Sequence, residues 1–269
     1  MKPAAFDYAR ASSAGEAVSL LAAARGEARL IGGGQSLGPM LNLRLARPAK
    51  LIDIKRAELR TIAGDARTLA IGAGWTHAAI EDGVVEDPAR GMLRHVASGI
   101  AYRAVRNRGT LGGSLAHADP AADWASTMTA LGATMVLQDP GGTRRLPVER
   151  FLLGAFATAL AEDEVLIAVE VPRLSPSARW GYHKLCRKTG ELARAIGAVV
   201  LDPERGFARA VAGAVGGAPL ILPEASAQLL EGATPDVATE LEALLPTPDE
   251  VWRQQLAACL RRAISELRA

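Results

Sequence analysis

The sequence predicts an α+β chain in two parts, joined near residue 175. Short apolar or alternating runs are interleaved with stretches of helical spacing along the whole chain. The composition changes after Pro172, where Leu-Ser-Pro-Ser-Ala at 174–178 reads as a linker. The 269 residues with 49% hydrophobic content are enough to bury a sizeable core, in one large domain or two to three small ones.

Ser13 and Glu16 make a capping-box pattern, and Ala14, Ala17, Val18 and Leu21 share one face of the helix that follows. Gly26 stops it. Residues 28–31 read as a short buried strand running into three glycines, and 50–54 as another. Residues 59–62 and 68–72 flank Gly64-Asp65 as a hairpin. Thr76 caps a short helix over 77–82, and 92–101 have helical spacing. A glycine-rich stretch over 107–124 leads into a helix over 121–131 and a strand over 133–137. Residues 164–172 form a strand that ends at Pro172. In the second part, 179–187 and 196–201 are strands, and 207–215 pairs with the latter across the turn sequence Asp202-Pro-Glu-Arg-Gly206. The chain ends in a helix with Thr247 as N-cap, Pro248 at the first position and Glu250 at the third. Trp252, Leu256, Leu260, Ala263 and Leu267 line one of its faces.

Composition removes several functions. A net charge of +2 and 4% aromatic content argue against a nucleic-acid partner. The two cysteines, Cys186 and Cys259, form no Cys-x-x-Cys and no Cys/His cluster, so no iron–sulfur cluster or structural zinc is expected in this chain. They read as separate thiols in a reducing compartment. His77, His95, His117 and His183 are too scattered to form a ligand set, and no metal residue is assigned. The N-terminus lacks the apolar core of a signal peptide, and no run of about 18 apolar residues predicts a membrane span. A cytoplasmic location is expected.

The chemistry lies in two glycine-rich segments. The first, Leu30, Ile31, Gly32, Gly33, Gly34, Gln35, Ser36 and Leu37, breaks the dinucleotide fingerprint because Leu37 stands where the last glycine belongs. No Gly-Lys-Ser/Thr triplet of a P-loop exists either. Glycines still leave backbone N–H groups free to converge on phosphate oxygens, and Ser36 adds a hydroxyl. Thr110, Leu111, Gly112, Gly113 and Ser114 repeat that design. Two such segments suit the two phosphates of a dinucleotide; tight turns at strand ends are the alternative. Asp123 can accept from ribose hydroxyls or serve as a charge at a helix N-terminus. His117 and Asp119, with no nucleophile motif nearby, read as turn or ligand contacts.

Together these residues resemble the FAD-binding medium subunit of molybdenum hydroxylases, a family that includes the carbon monoxide dehydrogenase medium subunit and the flavin domain of xanthine dehydrogenase. The resemblance covers essentially the whole chain. Its strongest pieces are LIGGGQSL at 30–37 and NRGTLGGSLAHADPAAD at 107–123; LIDI at 51–54, EVLIAVEVP at 164–172 and KLCRKTGE at 184–191 support it. It implies a two-subdomain FAD-binding domain of the vanillyl-alcohol-oxidase (PCMH) type over 1–175, divided near residue 56. A C-terminal domain of the CO dehydrogenase flavoprotein type over 176–269, with a small antiparallel sheet and helices, would follow. It implies that both glycine segments clasp the FAD pyrophosphate, that Asp123 meets the ribose or nearby polar atoms, that Leu166 packs near the adenine and that Lys184 lies near the flavin. A small [2Fe-2S] subunit and a large molybdopterin subunit are the implied partners, in a dimer of heterotrimers. Electrons would pass from the clusters through FAD to an external acceptor, so no catalytic acid or base is assigned to this chain. Ser114 departs from the asparagine usual in the family, and Leu192 from its aromatic, which bears on the cover of the flavin ring. A self-contained FAD-dependent reductase of the UDP-N-acetylenolpyruvoylglucosamine type, or a flavin-less assembly subunit, are the alternatives.

Overall fold

The computed structural model describes residues 2–55 and 57–267. Its first sheet is parallel: β1 (Asp7–Arg10) and β2 (Ala28–Ile31) flank β3 (Lys50–Asp53). Helix α1 (Ala14–Ala24) joins β1 to β2 and buries Ala17, Val18 and Leu21, the face expected from its spacing. Ser13 Oγ accepts from Glu16 N at 3.1 Å. The Glu16 carboxylate reaches back to Ser12 N at 2.7 Å, one residue beyond the usual box. The helix closes on Arg25 with φ 46°, followed by Gly26 with φ 85°. Helix α2 (Leu37–Asn42) follows the first glycine run.

The second sheet is antiparallel, in the order β4–β5–β10–β6–β7. Strands β4 (Ile62–Gly64) and β5 (Thr68–Gly72) are the expected hairpin, but its first arm is 62–64 rather than 59–62. Ahead of β4, the carbonyls of Leu59 and Thr61 accept from Gly74 N and Gly72 N, at 2.8 and 2.9 Å. Between β5 and β6 (Thr134–Asp139) run α3 (His77–Glu81), α4 (Met92–Ser98), α5 (Arg103–Arg106), α6 (Leu111–His117) and α7 (Asp123–Leu131). Helix α4 ends at Ser98, not 101, with Gly99 as its C-cap, and α7 starts at Asp123, not 121, because Ala122 is still extended. After β7 (Gly142–Pro147) come α8 (Val148–Phe151), the small hairpin β8 (Leu152–Gly154) and β9 (Ala157–Thr158), and the central strand β10 (Val165–Pro172).

The third sheet is a consecutive antiparallel run of β11 (Arg179–Leu185), β12 (Ala195–Asp202), β13 (Phe207–Gly213) and β14 (Leu220–Leu222). Strand β11 stops two residues short of the expected 187, and β13 stops at Gly213 because Ala214 turns to φ 61°. Helices α9 (Pro223–Leu230), α10 (Val237–Leu244) and α11 (Glu250–Ser265) cover one face. The N-cap of α11 is Asp249, not Thr247: the Asp249 carboxylate accepts from Trp252 N at 2.9 Å. Thr247 Oγ1 accepts instead from Asp249 N, at 3.2 Å.

All eight residues of β12 are buried. Ile196, Ala198 and Val200 belong to the central core with Trp124, Met128 and Val169. Ala195, Val199 and Leu201 pack with Leu256, Leu260 and Ala263 of α11. One apolar core thus crosses from the second sheet to the third. The segment expected as a linker, 174–178, is tied down by Ser175. Its N–H and hydroxyl donate to the fully buried Asp202 carboxylate at 2.9 and 2.5 Å.

Helix α11 sits close against its sheet because two strand residues have no side chain. A Cβ on Gly181 would lie 1.8 Å from Ala263 O, and one on Gly197 2.6 Å from Cys259 backbone atoms. Gly181→Ala is therefore expected to destabilise the protein by about 1–3 kcal/mol through overpacking. A fall in Tm of several degrees, with α11 becoming the first site of proteolytic cleavage, checks it.

Candidate functional site

The site starts where the parallel sheet ends. The carbonyl of Ile31, the last residue of β2, accepts from Ile54 N at 3.1 Å, and the chain then leaves the sheet. The three glycines that follow have separate reasons. A Cβ on Gly32 would meet Thr110 Oγ1 at 3.3 Å. A Cβ on buried Gly33 would lie 2.0 Å from Arg108 O and 2.7 Å from Gly109 Cα, so two backbones touch there. Gly34 has φ 71°, a left-handed conformation that glycine adopts freely. The carbonyls of Gly34 and Ser36 start α2 by accepting from Gly38 N and Met40 N at 3.0 and 3.2 Å, and Gln35 Nε2 donates to Gly33 O at 3.2 Å. The N–H groups of residues 32–36 make no hydrogen bond to any other group among the described residues. Five such groups in succession are free to receive an anion.

The second segment is built differently. Thr110 is the N-cap of α6, and its Oγ1 accepts from Gly113 N at 3.1 Å. Leu111 N donates to Trp75 O, Gly112 N to Ala73 O and Ser114 N to Thr110 O, at 3.0, 2.9 and 3.0 Å. The N–H groups of 111–114 are therefore taken up inside the fold. The glycines here permit contact: a Cβ on Gly112 would lie 2.4 Å from Ala73 Cβ, and one on Gly109 2.8 Å from His77 Nε2. Gly113 is exposed and Ser114 half-buried, so the segment presents an accessible rim beside the first.

His77 braces this rim from below. Its Nδ1 accepts from Trp124 Nε1 at 3.0 Å, which places the ring proton on Nε2. Burial, with the nearby Arg106 guanidinium adding to it, lowers the imidazole pKa to about 4. The unfolded chain binds a proton at this residue near the ordinary value of 6.5, whereas the folded one does not. Stability is therefore lost as pH falls from that value towards 4, by up to about 3 kcal/mol at roughly 1.4 kcal/mol per unit. Urea midpoints compared across this range should fall more steeply for the wild type than for His77→Gln, which keeps an acceptor for Trp124.

Asp123, the first residue of α7, is buried, and its Oδ1 accepts from Tyr182 Oη and from Lys184 Nζ, each at 2.7 Å. Lys184 Nζ also donates to Gly99 O at 2.9 Å. The Asp123 and Lys184 side chains are only 8% and 10% exposed, so this is a buried ion pair. The structure brings these two expected residues together. It shows Tyr182 as a third member the sequence reading missed, although the spacing of two along β11 puts Tyr182 and Lys184 on one face. Leu166 lies in the central core with Leu111, at a bulge between Leu166 and Ala168. Leu192 is 64% exposed, on the turn after β11. In that turn Gly190 packs against exposed Tyr102, and a Cβ on it would lie 3.1 Å from the Tyr102 ring. Asp119 Oδ1 accepts from Ala121 N at 2.9 Å, and the His117 ring sits 5.1 Å from that of Phe156, so both are turn and packing residues.

The family model described as the FAD binding domain in molybdopterin dehydrogenase matches residues 4–174. The carbon monoxide dehydrogenase medium chain of Hydrogenophaga pseudoflava is 42% identical over 206 residues, covering 75% of this chain and 70% of that one. The 6-hydroxypseudooxynicotine dehydrogenase complex subunit alpha of Paenarthrobacter nicotinovorans is 37% identical over 220 residues, covering 81% of this chain and 74% of that one. In structure, a chain of carbon monoxide dehydrogenase from Hydrogenophaga pseudoflava superimposes with a TM-score of 0.91 at 35% identity, covering 98% of each. A chain of quinoline 2-oxidoreductase from Pseudomonas putida 86 gives 0.88 at 34%, covering 99% of this chain and 98% of that one.

Proposed function

The chain belongs to the family of FAD binding domains in molybdopterin dehydrogenase, and from that premise we propose how its residues serve the flavin. It is an FAD-binding oxidoreductase subunit, the flavoprotein component of a molybdenum-containing dehydrogenase. The observation that carries the residue-level reading is the run of free N–H groups at 32–36, locked in place where Gly33 touches Arg108 and Gly109. These N–H groups, with the Ser36 hydroxyl, hold the pyrophosphate. Thr110 and Ser114 close the rim beside it. Leu166 supports the adenine end. Asp123 meets the ribose or nearby polar atoms, and Lys184 lies near the flavin, where its ammonium favours negative charge on the ring system. FAD, when bound, takes up and passes on electrons; the chain supplies binding, orientation and charge. No side chain here is assigned as a catalytic acid or base.

The partners are a small [2Fe-2S] subunit and a large molybdopterin subunit, in a dimer of heterotrimers, with electrons passing from the clusters through FAD to an external acceptor. The names of relatives as medium chains and complex subunits support this reading. Among the described residues, no group of three or more His, Cys, Asp and Glu side chains is arranged to hold a metal. No helix among them is long and apolar enough to cross a membrane, and a cytoplasmic location is proposed. The division into an FAD-binding unit over 1–175 and a C-terminal unit over 176–269 is proposed with it, since the family match ends at residue 174.

Affinity purification of the tagged chain from cells that make the whole complex tests the assignment. Two further chains are expected, one rich in iron and acid-labile sulfide and one containing molybdenum. A chain that purifies alone and reduces a small substrate by itself would overturn it in favour of a self-contained reductase.

A further inference from the structure

The ion pair between Asp123 and Lys184 carries one more group than neutralisation requires. The Tyr182 hydroxyl donates to Asp123 Oδ1, the same oxygen that receives Lys184. Tyr182 is buried, with the His95 ring centroid 6.3 Å from its own and Ala198 of β12 as its register partner. Burial, together with the Asp123 carboxylate, raises the phenol pKa well above its ordinary value, so the hydroxyl keeps its proton and always donates. Lys184 has three N–H donors. One goes to Asp123 Oδ1 and one to Gly99 O, which leaves one.

We propose that Tyr182 is a positioning residue for the flavin: by hydrogen-bonding the Asp123 oxygen that receives Lys184, it offsets part of the carboxylate's charge and leaves the ammonium net positive towards the ring. A carboxylate with two donors on one oxygen presents less negative potential to its surroundings than one with a single donor. The proposal rests on the reading that Lys184 faces the flavin. Without the hydroxyl, the pair presents a more negative potential, and the flavin is harder to reduce. With a more acidic phenol, it presents a less negative one, and reduction is easier.

The test is a spectroelectrochemical titration of the flavin in the purified complex, with FAD content measured beside it. Tyr182→Phe is expected to keep its FAD and to lower the midpoint potential by about 30 mV, a tenfold change for a two-electron couple. Incorporating 3-fluorotyrosine at position 182, which preserves the fold, should raise it. Lys184→Met should lower it further than Tyr182→Phe does. A potential that moves in Lys184→Met but in neither position-182 variant overturns the role of Tyr182. A potential unmoved in Lys184→Met overturns the placement of Lys184 by the flavin, and the proposal with it. A merely structural role for Tyr182 would change Tm and leave the potential of the folded variants alone.

Discussion

Gly33→Ala is expected to cost the protein its flavin. The added Cβ would lie 2.0 Å from Arg108 O, 2.6 Å from Arg108 C and 2.7 Å from Gly109 Cα, and all three are backbone atoms that no rotamer change can move. The two glycine segments must part, and the N–H groups of 32–36 lose the position in which they converge. Overpacking of this kind costs about 1–3 kcal/mol. If most of it falls on the bound state, FAD affinity drops roughly 10- to 100-fold, at about 1.4 kcal/mol per decade. Gly38→Ala is the control, because a Cβ there meets nothing within 4 Å. Inside α2 the alanine even favours the helix, by roughly 0.5–1 kcal/mol. FAD retained per chain after gel filtration separates the two: depleted in Gly33→Ala, unchanged in Gly38→Ala. Full retention in both would remove Gly33 from the site.

Asp123→Ala is expected to be the most destabilising single change in the site. It leaves the Lys184 ammonium buried with only Gly99 O as acceptor and removes the acceptor of Tyr182. Breaking a buried pair from one side costs about 3–5 kcal/mol. At roughly 2–4 °C per kcal/mol for a domain of this size, Tm should fall by about 10 °C. Asp123→Ala combined with Lys184→Met removes both charges and should recover most of that loss, because the penalty comes from the stranded ammonium. A single variant as stable as the wild type, or a double variant no better than the single, would contradict a buried ion pair.

These residues differ in how far the sequence announces them. Gly32, Gly33 and Gly34 are legible because a run of glycines at a strand end is a local signal. Their separate reasons are not, since Gly33 owes its identity to Arg108, 75 residues on in the chain. Helix α1 is legible from Ser13, Glu16 and a clear apolar face. Strand β1 is not, because its four residues form an edge of the first sheet and are largely exposed, with no alternation to read. The same holds for β7, whose arginines face solvent and pair with Glu164 and Glu170 of a distant segment. The second glycine segment looks like a loop by composition, yet Thr110 caps it into a helix whose N–H groups close on Ala73 and Trp75. Tyr182 and Asp123 are 59 residues apart, and only the packing of α7 on the third sheet brings them together. Thr247 and Asp249 are both good caps, and local propensity does not choose between them.

Absorption of the purified native complex, repeated on the chromophore released by denaturation, tests the central claim most directly. One FAD released per copy of this chain, with the bands of an oxidised flavin before release, is the predicted result. A complex containing the chain in full stoichiometry, but colourless at the flavin bands and unable to take up added FAD, would contradict it and leave residues 32–36 as a turn.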